Sequence, residues 1–304
     1  MNNAYIGKLM ELAEKDPNIV HLLADSGTGY DEMFRRNFPD RMFNFGIAEG
    51  NMVAAAAGMA TAGKIPFVFT AGAFLAYRAM EYIRDDVCFQ NLNVKITGMG
   101  CGLSWSSLGP THHTTEEISV LRSIPNLMLL SPASPNQVRA CVEKAYHHEG
   151  PVYIRIGMNR EKEFFDENCV LTETGFDVMT EGKDAILFST GSILEEVMSA
   201  CEDLSNEGIS VKVINVSKLK PFGYDEAAEL ISGYDKVFTV EEHNIFGGLG
   251  SILSETIAFS GMGKKVIPIG LNDLFAKGYG SVAAVRRENG LDSKSISNKI
   301  KGAL

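Results

Sequence analysis

The chain has 304 residues, room for two ordinary domains, and at 45% hydrophobic and 22% charged it excludes a disordered or fibrous protein. With 28 Lys and Arg against 38 Asp and Glu, the net charge of -10 excludes attraction to nucleic acid or to an anionic membrane surface. An anionic substrate must then be held by a few placed cations.

Short apolar, β-branched runs alternate with longer helical stretches. Strands are predicted over Ile19–Ala24, Met42–Phe45, Pro66–Thr70, Val94–Thr97, Met128–Leu130 and Val152–Ile156. Helices are predicted over Glu49–Thr61, Phe74–Phe89, Thr115–Arg122 and Pro135–His148. The strand runs are apolar throughout, which suits parallel strands covered on both faces. A polar stretch, Glu161–Lys183, precedes a second series. Its strands are expected at Ala185–Ser189, Val211–Val216, Val237–Val240 and Val266–Ile269, with helices near Ile193–Leu204, Tyr224–Ile231 and Leu249–Phe259. Gly208, Gly233 and Gly261 fall where those helices should end. The pattern predicts two open, parallel or mostly parallel α/β sheet domains with helices on both faces, at 1–168 and 180–304.

The five cysteines, Cys88, Cys101, Cys141, Cys169 and Cys201, form no CxxC pair and are odd in number. They read as buried small hydrophobes in a reducing cytosol, not as a disulfide framework or zinc site. The N-terminus is interrupted by charge, and the longest nearly uncharged stretch, Ile65–Tyr77, is too short to span a bilayer, which takes about 20 apolar residues. A cytoplasmic protein is expected, with no membrane and no nucleic acid among its partners. No metal site is readable in the sequence.

The most informative segment is Phe45-Gly46-Ile47-Ala48-Glu49-Gly50-Asn51, which opens an Ala-rich helix. Helix capping is the ordinary account of an acidic residue there. An Ala-rich helix without a polar face is buried, so the Glu49 carboxylate is partly desolvated and needs a partner or a purpose.

The string GIAEGNMVAAAAGMATAGKIPFVFTAGAFLAYRAMEYIRDDV, followed by GPTHHTTEEISVLRSIPN and GPVYIRI, resembles the pyrimidine-binding domain of the transketolase and deoxyxylulose-phosphate synthase family. VFTVEEHNIFGGLGS in the second half resembles the family's C-terminal domain. The resemblance covers nearly the whole chain. It implies thiamine diphosphate as cofactor, with Glu49 hydrogen-bonding N1′ of the aminopyrimidine and so promoting the tautomer that deprotonates the thiazolium. It also implies a stacking aromatic at Phe74; the family often shows a second aromatic where this chain has Ala71.

Phe74 and Tyr77 lie just past the third strand, as core residues or as a surface for the cofactor ring. His112 and His113 follow Gly109-Pro110-Thr111, where a satisfied loop histidine is the alternative to function. The resemblance places His112 facing the substrate as catalytic hydrogen-bond donor. Arg155 ends an apolar strand, where α/β proteins bind ligands, and its fork suits a phosphate or sulfonate. The resemblance gives it the acceptor's phosphate. Arg78 matches an anion-binding arginine of the synthase branch, or pairs with Glu81 on the helix surface.

Family members that act alone carry an upstream diphosphate-binding domain that holds Mg2+ through a Gly-Asp-Gly motif, which this sequence lacks. The resemblance therefore implies a split enzyme. An N-terminal transketolase subunit would supply the Mg2+ and diphosphate site in a two-plus-two heterotetramer. Leu108 stands where family transketolases carry a sugar-binding aspartate, which with Trp105 suggests an unusual ketose, modified or sulfonated. The expected reaction transfers a two-carbon ketol unit from an anionic ketose to an aldose. The alternatives are half of a synthase-like or 2-oxo acid decarboxylating enzyme, and a non-catalytic scaffold subunit.

Overall fold

The computed structural model describes residues 1–25 and 29–304. The first series begins with α1 (Asn2–Lys15), β1 (Ile19–Leu23), α2 (Gly29–Asn37), β2 (Met42–Asn44), α3 (Glu49–Thr61) and β3 (Ile65–Ala71). A helical stretch follows in three pieces: a π turn over Phe74–Arg78, the single turn α4 (Met80–Tyr82) and a second π turn over Ile83–Cys88. Then come β4 (Lys95–Met99), α5 (Glu117–Leu121), β5 (Met128–Leu130), α6 (Pro135–His147) and β6 (Val152–Ile156). The second series holds β7 (Phe176–Thr180), β8 (Ala185–Thr190), α7 (Leu194–Asn206), β9 (Val211–Val216), β10 (Lys218–Lys220) and α8 (Tyr224–Ser232). It ends with β11 (Val237–Asn244), α9 (Leu249–Phe259), β12 (Val266–Leu271), α10 (Val282–Glu288) and α11 (Ser293–Lys301).

The first sheet runs β10-β5-β6-β4-β3-β1-β2, parallel throughout except where β10 meets β5. The second runs β12-β11-β8-β9-β7, parallel except where β7 meets β9. Every residue of β1, β4, β6 and β8 is buried, which is why those runs carry no polar alternation. Leu9 and Leu12 of α1 and Val138 of α6 cover one face of the first sheet. Val197 of α7 and Ile296 and Ile300 of α11 cover the outer face of the second. Between the sheets a single apolar layer joins Met52 and Val53 of α3 and Leu121 of α5 to Phe188, Ile252 and Leu253 of the second series. The two sheets therefore share one interior.

Several elements differ from the pattern. The stretch predicted as one helix from Phe74 to Phe89 is broken, because each π turn takes up an extra residue and changes the facing of all that follow. This brings the Tyr82 ring onto Gly50, where a Cβ would lie 2.6 Å from it. The strands β7 and β10 lie in segments whose polar residues disguise them. β7 is an edge strand with half-exposed positions, and β10 leaves the second series to extend the first sheet. The polar helices α1, α10 and α11 are also absent from the sequence pattern, although α1 buries Leu9 and Leu12 at helical spacing. Gly208 and Gly261 adopt positive φ beyond α7 and α9, whereas Gly233 keeps φ -78. All five cysteines are free, and burial pushes the thiols of Cys88, Cys101 and Cys201 up to about 12. No described helix is long and apolar enough to cross a membrane.

Lys95, fully buried at the start of β4, donates to the carbonyls of His148 at 2.6 Å and Gly150 at 2.7 Å, tying the end of α6 to the sheet. Burial lowers its ammonium from 10.5 to about 7. The unfolded chain then holds this proton more tightly than the folded one, so the burial cost is complete below pH 7 and disappears as pH rises toward 10.5. The expected outcome in urea unfolding is that wild type gains stability relative to Lys95→Met between pH 7 and pH 10; a pH-independent difference contradicts this.

Candidate active site

A cavity of about 370 Å³ opens at the carboxyl ends of β1, β3 and β4, where open α/β sheets place ligands. Asp25, Ala71 and Met99 mark those strand ends. Glu49 enters from the start of α3, and Phe74 and Arg78 from the first π turn. Trp105, Leu108 and His112 come from the loop between β4 and α5. A larger groove of about 740 Å³ beside α7 is rimmed by the exposed carboxylates Glu181, Glu195 and Glu202, an ordinary solvated acidic face.

Glu49 is only 1% exposed although it is the first residue of its helix. The buried face of α3 is Met52, Val53, Ala56 and Ala57, so the helix offers the carboxylate no polar neighbour. Compensation comes from outside: Arg78 Nη1 donates to Glu49 Oε2 at 2.8 Å, from a side chain that is 52% exposed. The guanidinium also lies 5.1 Å from the centre of the Phe74 ring. Among the described residues, Glu49 Oε1 has no hydrogen-bond partner. A buried carboxylate thus presents one occupied and one available oxygen at a cavity wall.

His112 lies edge-on to Phe74, with ring centroids 5.2 Å apart, and tilted against Trp105 at 5.9 Å. Its Nδ1 is 2.9 Å from Thr111 Oγ1, which leaves Nε2 as the nitrogen available to a ligand. The next residue, His113, is buried away from the cavity, and among the described residues neither of its ring nitrogens has a hydrogen-bond partner. Burial lowers its pKa, against the opposing charges of Glu242 and Glu116. It is therefore a neutral interior ring.

Two expectations are corrected, and for Arg78 one of two alternatives is set aside. Tyr77 does not line the cavity: its hydroxyl donates to Glu116 Oε2 at 2.7 Å and accepts from Glu116 N at 3.2 Å. Burial and the neighbouring carboxylates Glu117 and Glu116 push its phenol far above the usual range. Arg155 does not reach the cavity either. It is 3% exposed, pairs through Nε with Glu117, and donates from Nη2 to the carbonyl of Glu242 at 3.1 Å. The second series covers the end of β6, with Gly191 so close to the guanidinium that a Cβ would lie 2.6 Å from Nη1. Burial works against its charge, and Glu117, Cys101 and Glu242 together more than restore it. Arg78 pairs with Glu49 and not with Glu81, because the π turn aims it at the mouth of α3. The sequence pattern does not single out Asp25. Its one signal is its place at the end of β1, and its φ of +47 is a strained backbone of the kind found at ligand sites.

Among the described residues no cluster of three or more His, Cys, Asp or Glu is placed to hold a metal ion. Truncating Arg155 leaves the buried Glu117 carboxyl without its partner, so Arg155→Met should cost about 3–5 kcal/mol in urea unfolding. Arg78→Met removes a half-exposed arginine from Glu49, which faces the cavity, and should cost less than Arg155→Met. Equal effects would contradict the assignment of one arginine to the interior and the other to the site.

Residues 1–160 match the transketolase pyrimidine-binding domain, and residues 175–296 match the transketolase C-terminal domain. An apulose-4-phosphate transketolase subunit of Actinobacillus succinogenes is 34% identical, over 97% of this chain and 95% of its own length. A 6-deoxy-6-sulfo-D-fructose transketolase subunit of a Clostridium species is 33% identical, over 97% of this chain and 92% of its own length. A solved structure of a split-gene transketolase, in an inactive beta4 tetramer, superposes with a TM-score of 0.91 at 36% identity and covers 100% of this chain and 97% of its own.

Proposed function

Because this chain belongs to the transketolase family, we propose that it is one subunit of a split, thiamine-diphosphate-dependent transketolase that transfers a two-carbon ketol unit from an anionic ketose to an aldose. The observation that carries this reading is Glu49, a buried carboxylate with one available oxygen on the wall of a cavity that also holds Phe74 and His112. These residues fit an aminopyrimidine: the carboxylate suits a ring nitrogen, and the Phe74 ring suits its face. The cofactor supplies the carbon nucleophile, which no protein side chain provides.

In this reading Glu49 shares a proton with the ring nitrogen through Oε1, while Arg78 holds Oε2 and keeps the carboxylate oriented. Phe74 supports the ring. His112 donates from Nε2 to substrate oxygens, its Nδ1 engaged by Thr111. Trp105 and Leu108 form the apolar wall that keeps water from the reacting atoms.

The related subunits act on a ketose phosphate and a sulfonated ketose, which supports an anionic sugar as substrate. Arg155 is occupied by Glu117, so the cation that meets the anionic group is Arg78 or a residue of the companion subunit. An N-terminal subunit would bring the diphosphate site and Mg2+, and the assembly would be a two-plus-two heterotetramer in the cytoplasm. That the split-gene neighbour is inactive as a beta4 tetramer supports the need for such a companion. With the pair reconstituted, Glu49→Gln should lower ketol transfer by about 10²–10⁴-fold with an unchanged far-UV spectrum. Turnover near wild type, or carbon dioxide release from pyruvate in place of ketol transfer, would overturn this reading.

A further inference from the structure

The segment between β4 and α5 carries Trp105, Leu108 and His112 into the cavity. Its base is closed within the first domain, where Gly102 N donates to Thr114 O at 2.9 Å and Thr114 N to Gly102 O at 3.0 Å. Its tip is held from the other domain. Ser106 Oγ donates to Gly280 O at 2.7 Å, and Gly280 N donates to Ser106 O at 3.2 Å, across 174 positions of sequence. Beside this reciprocal pair the Tyr279 ring rests on Gly109, so near that a Cβ there would lie 2.3 Å from Cε1. Gly109 adopts φ +74, and its carbonyl accepts the N–H groups of both His112, at 2.9 Å, and His113, at 3.1 Å. Leu103, at the start of the loop, is buried with Leu271 and Ala276 in the apolar layer of the C-terminal domain.

We propose that the C-terminal segment 272–281 is a clamp on the substrate loop, in which Ser106, Gly280 and Tyr279 set where His112 and Leu108 stand. Tyr279 and Ser106 are positioning residues: they act through Gly109 and the loop, without touching the substrate. The chemistry of the contact explains its form. A loop built of successive turns gains further order from an outside donor and acceptor, and the glycine admits a ring that any side chain would exclude. Because the Gly109 carbonyl orients the His112 backbone, a shift at Tyr279 is passed directly to the histidine. A displacement of about 1 Å at a reacting group costs up to about 10²-fold in rate. The inference rests on the reading of His112 as a substrate-facing donor, and it gives the C-terminal domain a part in substrate recognition.

The chain contains one tryptophan, Trp105, and it lies on this loop, one residue from Ser106. Its emission reports the loop in the full chain, with no cofactor, companion or turnover. Tyr279 is 69% exposed, so its replacement should leave the fold intact, with far-UV spectrum and melting temperature as the check. Tyr279→Ala and Ser106→Ala should shift the emission to the red and increase quenching by acrylamide, whereas Tyr279→Phe should match wild type. In the reconstituted enzyme Tyr279→Ala should raise the KM for the aldose by roughly tenfold, with thiamine diphosphate affinity unchanged and Tyr279→Phe restoring the wild-type value. Unaltered emission and quenching in folded Tyr279→Ala would overturn the clamp. Altered emission with unaltered KM and kcat would overturn its role in positioning. Absence of ketol transfer by the wild-type pair would instead overturn the proposed function, while the fluorescence still decides whether the clamp exists.

Discussion

A carboxylate buried at the head of an apolar helix has to be compensated, and how Glu49 is compensated determines what this site does. The helix dipole favours a negative charge there by only about 0.3–1 kcal/mol, less than the desolvation of the group. Arg78 supplies the remainder from a turn that reaches the site only because the helix after β3 is wound too wide. Two consequences follow from that single pairing. The charge is held at a cavity wall without being consumed, since one oxygen stays available. The arginine that holds it remains half exposed and lies over the Phe74 ring, so the ionic and aromatic parts of the site are fixed together.

A second constraint is the seam between the two sheets. Their shared apolar layer is flanked by charge: buried Arg155 joins Glu117 to the Glu242 carbonyl, Glu242 accepts from Arg286 Nε at 2.7 Å, and Arg122 pairs with Glu255 at the partly exposed rim. Glu241 accepts the Leu249 and Gly250 amides at 2.7 and 2.9 Å and so caps α9. Pairs of this kind add little net stability compared with apolar substitutes, but breaking one partner is costly, so they fix a unique arrangement. The loop that carries His112 runs along this seam. Its geometry belongs to both domains.

Much of this was legible in the sequence. The buried parallel strands announced themselves as unbroken apolar runs, and α3 appeared with the bounds Glu49–Thr61 because its Ala-rich stretch admits no other reading. Phe74, His112 and Glu49 could be placed at one site because motifs in register fixed their order. Arg155 could not be read correctly. A strand-end arginine points toward the ligand crevice only when nothing covers that strand end, and the covering residues, Gly191 and Glu242, lie far away in sequence. Tyr77 failed for a related reason: the π turn, which no hydropathy period reveals, turns it toward Glu116. The edge strand β7 and the polar helices escaped because burial on one face only leaves a weak pattern.

The central claim is a specific bond between one oxygen of Glu49 and a ring nitrogen of the cofactor. The most direct test is a two-by-two binding cycle on the chain mixed with its companion subunit. It compares thiamine diphosphate with an analogue whose N1′ is replaced by carbon, in wild type and in Glu49→Ala. A charge-assisted hydrogen bond of about 1.5–3 kcal/mol predicts that the nitrogen improves Kd by roughly 10- to 150-fold in wild type and has little effect in the variant. An equal gain from the nitrogen in both proteins would contradict the account.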